Sequence, residues 1–248
     1  LMAPRTRFNT QIGASRAFAT CTLPLRDFKA VAAACEATIN DLLLATCSGA
    51  LRQYLAGHHE LPKRSLVAAV PLSLRESGES AAGNQVTMLP CPLGTDQKTP
   101  RARLAAIQAG MTKVKGTKSS FRDLIPTDYP SLGSPWLMSG LAQLYARTRL
   151  ADRIPLPANL VISNVPGPPV TLYLAGARMT TYFPVSIVVH GLALNITVHS
   201  YDGKLHLGLI ACRKNVPDLQ KLVSALYESF DELKAMAASE LSAATPRP

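Results

Sequence analysis

The chain has 248 residues, of which 47% are hydrophobic and 17% charged, so it can bury a large core and is not disordered by composition. Its formal charge of +10 favours anionic partners such as phosphorylated cofactors or acidic lipid headgroups. Nucleic acid is excluded as a partner because only 6% of the residues are aromatic and no zinc-finger, RNP or basic-zipper pattern is present.

The first half of the chain predicts alternating strands and helices. It begins at Leu1 rather than Met, and residues 1–15 are interpreted as a linker from a missing upstream domain. Beyond the linker, the periodicity of apolar residues predicts strands at 16–25, 66–74 and 85–93, the last broken by Pro90 and Pro92, and helices at 26–34, 38–56 and 101–115. Residues 136–150 predict a further amphipathic helix.

The second half predicts three strands and a closing helix. Asp202-Gly203 lies between two apolar runs, 194–200 and 205–211, which is typical of a type I′ hairpin. Asn215 is the predicted cap of the last helix, with Pro217 and Asp218 in its first turn, and residues 239–248 are a flexible tail. The fold class is therefore α/β, with a mixed sheet covered by helices.

The five cysteines are widely spread, without a CxxC pair or a histidine at metal-ligand spacing. They indicate reduced, buried thiols and a cytoplasmic protein, and no signal-peptide pattern opens the chain. The longest apolar run, residues 183–198, is interrupted by His190 and Asn195 and is shorter than the roughly 20 residues of a membrane span. Any membrane contact is therefore expected to be peripheral.

Familiar catalytic motifs are absent: the sequence has no GxSxG elbow, P-loop, GxGxxG or metal cluster. Thr38 and Asp41 have the spacing of a helix capping box, which does not require Asn40 and leaves it as the better functional candidate. His58 and His59 lie in a polar stretch after a helix and are interpreted as a solvated loop. His199 and His206 flank the Asp202-Gly203 turn and are interpreted as a cross-strand packing pair.

Residues 159–168, NLVISNVPGP, form the most informative stretch. Val161 and Ile162 suit a buried strand, Ser163 and Asn164 place polar groups at its end, and the prolines that follow stop the strand. Polar groups at a strand end often line a site, but a plain strand with a rigid turn fits the same residues.

Six segments in order carry a family resemblance: TINDLLLATCSGALRQYL, AVPLSLRE, GNQ, SNVPGP, YLAGA and SYDGKL. Together they resemble the C-terminal half of the bacterial wax ester synthase/acyl-CoA:diacylglycerol acyltransferases (WS/DGAT), over nearly the whole chain. The resemblance implies a WS/DGAT C-terminal domain at residues 16–238. It also implies a fold like chloramphenicol acetyltransferase and the condensation domains, in which two α/β halves enclose a tunnel and this chain is one half.

The resemblance further implies an acyl-CoA-dependent O-acyltransferase that moves a fatty acyl group to diacylglycerol or a long-chain alcohol, with acyl-CoA as substrate and no cofactor. The family's catalytic His lies in an HHxxxDG motif. Here His58 and His59 are followed by Glu60, Leu61 and Pro62, so the motif is absent. The base is therefore expected in a missing N-terminal domain, and this chain alone is expected to be inactive.

The remaining polar positions of the family map onto supporting residues. The resemblance assigns Asn40 and Asp41 to support of the site, and substrate or coenzyme A binding to Arg75, Asn84, Gln85, Ser163 and Asn164. Arg75 suits the acceptor or a coenzyme A phosphate, or else an ordinary surface ion pair. Ser163 and Asn164 either shape the tunnel mouth or cap their strand.

Two alternatives to this acyltransferase stay open. One is a non-catalytic acyl-binding or partner-binding module with the same half-fold, and the other is the same fold with a different acceptor, as in condensation or polyketide-ester transferases. A basic run between residues 98 and 122, with three more arginines near Trp136, fits either an acidic membrane or lipid-droplet surface or a solvated basic face. A half-tunnel without its other half is also expected to expose apolar surface.

Overall fold

The computed structural model describes residues 2–73, 86–116, 147–148 and 154–244. Within these ranges the helices are α1 (Leu25–Ala34), α2 (Ile39–Gly57), α3 (Pro100–Gly116) and α4 (Leu219–Ala244). The strands are β1 (Arg16–Pro24), β2 (Val67–Ser73), β3 (Val86–Pro92), β4 (Leu160–Val165), β5 (Tyr173–Leu174), β6 (Ala177–Arg178), β7 (Leu194–Tyr201) and β8 (Lys204–Cys212). The predicted helix at 136–150 lies outside the described residues, apart from 147–148.

Six strands form one mixed sheet in the order β1-β8-β7-β4-β2-β3, and β5 and β6 form a separate small hairpin. Strand β4 is parallel to both of its neighbours, β2 and β7, whereas the other pairs are antiparallel. The β7–β8 turn has positive φ at both central residues, 47° at Asp202 and 73° at Gly203, which confirms the predicted type I′ hairpin. The α/β half-fold with a helix-covered mixed sheet is confirmed.

Strand β3 is not broken by its prolines. Pro90 and Pro92 stay in register with β2, opposite Ala69 and Val67. They are tolerated because β3 is an edge strand. The missing N–H of a proline can face away from the sheet there, where no neighbouring strand needs a hydrogen bond. The alternation of apolar residues gave the strand correctly, but its edge position could not be read from the sequence.

One face of the sheet packs against the helices and forms the main core. Leu194, Ile196 and Val198 of β7 belong to this core. Helix α2 is buried along most of its length, and Phe28 of α1 stacks on Phe230 of α4 with ring centroids 4.2 Å apart. Each fully buried leucine contributes roughly 2 kcal/mol to the free energy of folding, so this face supplies most of the stability.

The opposite face of the sheet is crossed by residues 184–189, which we call the crossing segment. Its start is pressed so closely on β8 that a Cβ at Gly208 would lie 1.8 Å from the Pro184 carbonyl oxygen. Tyr182 and Phe183, just before the segment, lie over His199 and His206 with ring centroids 4.8 and 5.1 Å apart. Glycine at position 208 therefore sets how near this segment approaches the sheet.

Three predicted boundaries differ from the structure. Asn215 does not cap the last helix: α4 begins at Leu219, and the Asn215 side chain donates to the Arg7 carbonyl oxygen and to Thr10. Helix α4 also continues through residues 239–244, part of the predicted tail. Residues 2–15, interpreted as a linker, pack on the body, because Phe8 is fully buried in the core.

All five cysteines are free and buried, as predicted. Burial raises the pKa of Cys21 to about 11 and that of Cys47 to about 12. In the described ranges no single helix is long and apolar enough to cross a membrane. Helices α1 and α2 together reach that length and apolarity but meet at a 99° bend.

Substituting Gly208→Ala is predicted to lower the free energy of unfolding by about 2 kcal/mol, because the added methyl group must push the Pro184 carbonyl away from β8. Urea unfolding followed by circular dichroism measures the change. Gly57→Ala is the matched control: a Cβ there meets nothing within 4 Å, and its effect should stay within about 0.5 kcal/mol. Equal stability of the two variants would mean that the crossing segment is not held against the sheet.

Candidate functional site

The polar end of the NLVISNVPGP stretch lies where the central sheet opens. Strand β4 pairs with β2 at only two positions, Ala68 with Leu160 and Ala69 with Val161, but pairs with β7 up to Val165. Two residues past the last β2–β4 pair, Pro71 has no N–H with which to extend the parallel ladder. Beyond this point β2 and β4 have no further pairs, so the sheet divides at this level.

Ser163 and Asn164 lie on β4 within this opening. Both side chains are partly exposed, and neither makes a hydrogen bond to any residue that the structure describes. The ladder to β7 sets Ser163 beside Thr197 and Asn164 beside Val198. Donors and acceptors held on a rigid strand without internal partners are available for a ligand, whereas a side chain that capped its strand would be bonded to the backbone. Within the described part no hydrogen bond caps the strand, and the role of Ser163 and Asn164 in a site stays a prediction.

A buried polar row that sequence reasoning missed continues from Ser163 across the face under the crossing segment. The Thr197 hydroxyl donates to Asn195 Oδ1 at 2.8 Å, and Asn195 Nδ2 donates to Ser186 Oγ at 3.0 Å. Asn195 and Thr197 are buried. The signal was present as a polar residue at every second position of β7, but the strand was interpreted only as part of a hairpin.

His199 and His206 face each other across the β7–β8 ladder, which confirms their predicted pairing. His206 Nδ1 is 3.3 Å from Thr22 Oγ1, whereas His206 Nε2 and His199 Nδ1 are buried without a hydrogen-bond partner in the described ranges. Burial lowers the pKa of both imidazoles, and nearby Lys204 lowers that of His206 further. Both rings are therefore neutral near pH 7.

Thr38 and Asp41 form the predicted capping box at the start of α2. Asp41 Oδ2 accepts from the Thr38 backbone N–H at 3.1 Å and from its hydroxyl at 2.6 Å, while Thr38 Oγ1 accepts from the Asp41 N–H at 3.1 Å. Asn40 makes no side-chain hydrogen bond in the described part of the chain. No hydrogen bond joins either residue to Ser163 or Asn164 there. Asp41 is thus committed to its helix, and Asn40 remains the available group.

Arg75, Asn84 and Gln85 lie outside the described residues. The strands on either side of them are described: β2 ends at Ser73 and β3 begins at Val86. Because β2 runs parallel to β4 and antiparallel to β3, both of these ends point to the side of the sheet where β4 ends at Val165, just after Ser163 and Asn164. The topology is compatible with the predicted grouping, which stays a prediction.

A cleft of about 480 Å³ lies at this edge of the sheet. Its walls come from the proline-rich turn after β4, the β7–β8 turn and the start of α1, and its lining includes Gly167, Val170, Tyr201 and Lys29. A larger cleft of about 600 Å³ is lined by Arg5, Arg7, Glu60 and Lys214 at the opposite edge, beside the end of β8. The smaller cleft lies at the end of the sheet where β4 ends, next to the turn that follows Ser163 and Asn164, and is the better candidate for substrate.

The interpretation of His58 and His59 as a solvated loop is wrong for His58. His58 Nε2 lies 3.1 Å from Asp218 Oδ2, and the Tyr54 hydroxyl donates to Asp218 Oδ1 at 2.6 Å. Burial raises the pKa of Asp218, but its hydrogen bonds from Tyr54 and Lys221 outweigh this and lower it to about 2. The contact between His58 and Asp218 joins the end of α2 to the start of α4. Because the two residues are far apart in the sequence, the local pattern could not predict it.

The described residues contain no group of three or more His, Cys, Asp or Glu side chains placed to hold a metal ion. The face beneath the crossing segment carries hydroxyl, amide and imidazole groups, from Thr197, Asn195 and His206. Such groups orient a substrate and stabilise developing charge through hydrogen bonds.

Comparison with known families decides the relationship. The model of the WS/DGAT C-terminal domain matches residues 82–234, and that of the wax ester synthase/diacylglycerol acyltransferase catalytic domain matches residues 1–43. The chain belongs to the WS/DGAT family. The catalytic-domain match includes Asn40 and Asp41, whereas Ser163 and Asn164 fall in the C-terminal-domain match.

Relatives of this WS/DGAT chain are about twice as long. This chain is 39% identical over 236 residues to Rv3480c of Mycobacterium tuberculosis, which is named a putative diacylglycerol O-acyltransferase. The match covers 95% of this chain and 47% of the relative. It is 38% identical to O-acyltransferase WSD of Acinetobacter baylyi, covering 96% of this chain and 50% of the relative. The chain thus spans about half the length of these curated relatives.

Solved structures confirm the fold. The wax ester synthase/diacylglycerol acyltransferase of Marinobacter aquaeolei VT8 superposes with a TM-score of 0.75 at 33% identity, covering 95% of this chain and 52% of that one. The epimerization domain of tyrocidine synthetase B superposes with a TM-score of 0.57 at 12% identity, covering 96% and 52%. The second likeness concerns the fold alone and confirms the condensation-domain-like half predicted from the sequence.

The capping box separates the roles of two adjacent residues. Asp41→Ala is predicted to lower the free energy of unfolding by about 1 kcal/mol, because the carboxylate that accepts from the Thr38 N–H and hydroxyl is lost at the N-terminus of α2. Asn40→Ala, the matched control, is predicted to change it by less than about 0.5 kcal/mol. Chemical denaturation measures both values. A larger loss for Asn40→Ala would show that Asn40 is structural and remove it from the candidate site.

Proposed function

We propose that this chain is the C-terminal half of an O-acyltransferase that moves a fatty acyl group from acyl-CoA to the hydroxyl of diacylglycerol or a long-chain alcohol. The observation that carries this proposal is the match to one half of longer WS/DGAT proteins, together with two polar groups on β4 that make no hydrogen bond to any described residue where the sheet opens. The product class is a triacylglycerol or a wax ester.

In this reaction a histidine of the upstream HHxxxDG motif removes the proton of the acceptor hydroxyl. The acceptor oxygen then attacks the thioester carbonyl carbon and forms a tetrahedral oxyanion. Collapse of this intermediate breaks the carbon–sulfur bond, and the coenzyme A thiolate takes the proton from the imidazolium. Ser163 and Asn164 provide a hydroxyl and an amide on a fixed strand, suited to orient the acyl group or the acceptor.

Three of the five histidines of this chain, His58, His199 and His206, are poor candidates for that base. His199 and His206 are covered by Tyr182 and Phe183, and burial lowers the pKa of both. His58 contacts Asp218 at the C-terminal end of α2, the end opposite to the Thr38–Asp41 capping box. The active enzyme therefore requires the upstream half as its partner, with acyl-CoA and the alcohol as substrates.

Release of coenzyme A thiol from a long-chain acyl-CoA, with diacylglycerol or hexadecanol as acceptor, tests this proposal. The chain alone should be inactive, whereas a protein with the upstream half of Rv3480c fused before Leu1 should be active. Replacing Asn164 by Ala in the fusion should reduce kcat/KM by about tenfold or more, because a donor near the reacting carbonyl is lost. Ser224→Ala on the exposed side of α4 is the matched control and should leave the rate unchanged.

The other outcomes of this assay decide between the alternatives. Thioester cleavage by the chain alone would mean that its own histidines include the base. If neither protein cleaves the thioester but both bind acyl-CoA, the chain is a non-catalytic acyl-binding or partner-binding module. Transfer to an amine or a polyketide alcohol in place of diacylglycerol would move the substrate class toward that of the condensation domains.

The proposal includes peripheral contact with a cytoplasmic membrane surface or lipid droplet, where the substrates reside. The β5–β6 hairpin supports it, because Val170, Tyr173 and Leu174 are exposed, Leu174 by 82%. The hairpin base is fixed by Tyr201, whose hydroxyl accepts from the Leu172 N–H at 3.0 Å and donates to the Met179 carbonyl oxygen at 2.9 Å. Apolar and aromatic side chains at the tip of a fixed hairpin suit insertion among lipid headgroups.

The basic residues between 98 and 122 support the proposed lipid contact less than their charge suggests. Arg103 is buried and bound to Glu232 at 3.0 Å, and Arg101 lies 3.5 Å from Glu240. Arg103 is therefore structural rather than part of a solvated or lipid-binding face. The predicted interfacial helix at 136–150 stays a prediction.

Replacing Tyr173 and Leu174 by Asp is predicted to weaken binding to phosphatidylcholine vesicles that contain phosphatidylserine and diacylglycerol by about tenfold or more, because apolar burial at the hairpin tip is lost. Vesicle co-sedimentation measures the affinity. Leu241→Asp, an exposed leucine on α4, is the control and should bind as the parent does. Equal binding by all three proteins would remove the hairpin from the lipid contact.

A further inference from the structure

The larger cleft, beside the end of β8, has a polar and mainly cationic lining. It encloses about 600 Å³, and its described walls carry the cationic side chains of Arg5, Arg7 and Lys214 against the single carboxylate of Glu60. The other described lining residues are polar except for Pro217. A cleft of this volume can hold an organic ligand, and such walls suit a polar anion rather than an acyl chain.

Arg7 is fixed in the wall of this cleft at both its backbone and its side chain. Its carbonyl oxygen accepts from Asn215 Nδ2 at 2.9 Å, and its Nε and Nη2 donate to the Glu60 carboxylate at 2.7 and 2.8 Å. Its Nη1 donates to the Tyr54 hydroxyl at 3.3 Å. Within the described ranges these bonds use three of the five N–H groups of a guanidinium, which leaves two to donate to a ligand.

Lys214 brings a second positive charge to the same cleft. Its side chain is exposed and makes no hydrogen bond or ion pair with any residue that the structure describes. The neighbouring Asn215 donates to the Arg7 carbonyl oxygen, so this part of the chain is held against Arg7. A fixed guanidinium and an ammonium without a described partner are the groups that bind a phosphate, the first through its fork of N–H donors and the second as a point charge.

We propose that the larger cleft is a second ligand site of this chain, which binds the phosphomonoester group of a soluble phosphorylated sugar. The three terminal oxygens of that group accept from the remaining N–H groups of Arg7 and from the Lys214 ammonium, whereas a carboxylate offers only two oxygens. The sugar hydroxyls meet the polar side chains of Thr10 and Gln11, which also line the cleft. The inference goes beyond the proposed acyl transfer and does not depend on it.

The proposed phosphate site and the candidate acyl-transfer site lie at opposite ends of the sheet. Ser163 and Asn164 lie near the end of β4, which runs parallel to β7 and so ends beside the β7–β8 turn. Asn215 follows the other end of β8. A phosphorylated sugar in the larger cleft therefore does not compete with acyl-CoA or the acceptor for the smaller cleft.

The phosphate site is connected to the helices through Tyr54. This tyrosine of α2 accepts from Arg7 and donates to Asp218, just before α4, at 2.6 Å. A ligand held by Arg7 binds a group whose position depends on the folded contact between α2 and α4. Because it binds the folded chain in preference to the unfolded one, the ligand is expected to raise the midpoint of thermal unfolding.

Isothermal titration calorimetry of this chain with ribose 5-phosphate tests the proposal. One ligand should bind per chain, whereas ribose, which has no phosphate, should not bind. Inorganic phosphate should bind about tenfold or more weakly than ribose 5-phosphate, because the contacts of the sugar are lost. Equal affinity for inorganic phosphate would indicate an adventitious ion only and would overturn the proposal, as would a lack of binding by ribose 5-phosphate.

Variants of two exposed lysines separate a local contact from general attraction by the net charge. Lys214→Glu should weaken binding by about tenfold or more, because a charge-assisted contact is replaced by repulsion. Lys214→Arg keeps the charge and should bind within about threefold of the parent. Lys98→Glu, outside the cleft, changes the net charge equally and should bind as the parent does. Equal weakening by the two Glu variants would reject the site.

Two further measurements identify the source of the phosphate and the accessibility of the cleft. Vesicles of phosphatidylcholine with phosphatidic acid present the same phosphomonoester on a lipid. If Lys214→Glu weakens vesicle binding and ribose 5-phosphate does not compete, the ligand is a lipid headgroup and the soluble sugar is rejected. The fusion with the upstream half of Rv3480c should bind ribose 5-phosphate as this chain does, and loss of binding there would reject the site as covered. Coenzyme A release by the same fusion reports separately on the proposed function.

Discussion

The early end of the parallel ladder between β2 and β4 is the constraint on which the candidate site depends. Only Ala68 and Ala69 pair with β4, and Pro71 has no N–H to carry the ladder further. Strand β4 nevertheless continues along β7 as far as Val165. Ser163 and Asn164, near the end of β4, therefore stay ordered by one neighbour while their side chains make no hydrogen bond to any residue that the structure describes.

The two faces of the sheet have different physical roles. The helix face is an apolar core built from α2, α4 and alternate residues of β7 and β8. The other face carries Asn195, Thr197 and two neutral histidines beneath the crossing segment, whose outer side is aliphatic. A stable core on one face lets this half fold around its own centre, while the other face keeps buried polar groups beneath the crossing segment.

Charge is distributed in a way that the net value does not reveal. Arg7 lies 2.7 Å from Glu60, Arg103 is buried against Glu232, and Arg178 lies 3.0 Å from Asp202. The bonds to Arg7 lower the pKa of Glu60 despite partial burial of its carboxylate. Several of the basic groups that give the chain its charge of +10 thus hold the fold together. For the proposed lipid contact, the net charge is therefore a weaker argument than the exposed apolar residues of the β5–β6 hairpin.

The sequence by itself determined the class and order of the main elements, because apolar periodicity, the Thr38–Asp41 box and the Asp202-Gly203 turn are local signals that each element carries within itself. It also placed Ser163 and Asn164 near the end of a strand, since Pro166 follows one residue later and stops the strand. Only the tertiary structure decided that β3 is an edge strand that tolerates Pro90, that His58 binds Asp218, and that Asn195 and Thr197 form a buried polar row. These features join residues far apart in the chain, and their energies come from packing and burial that no local pattern records.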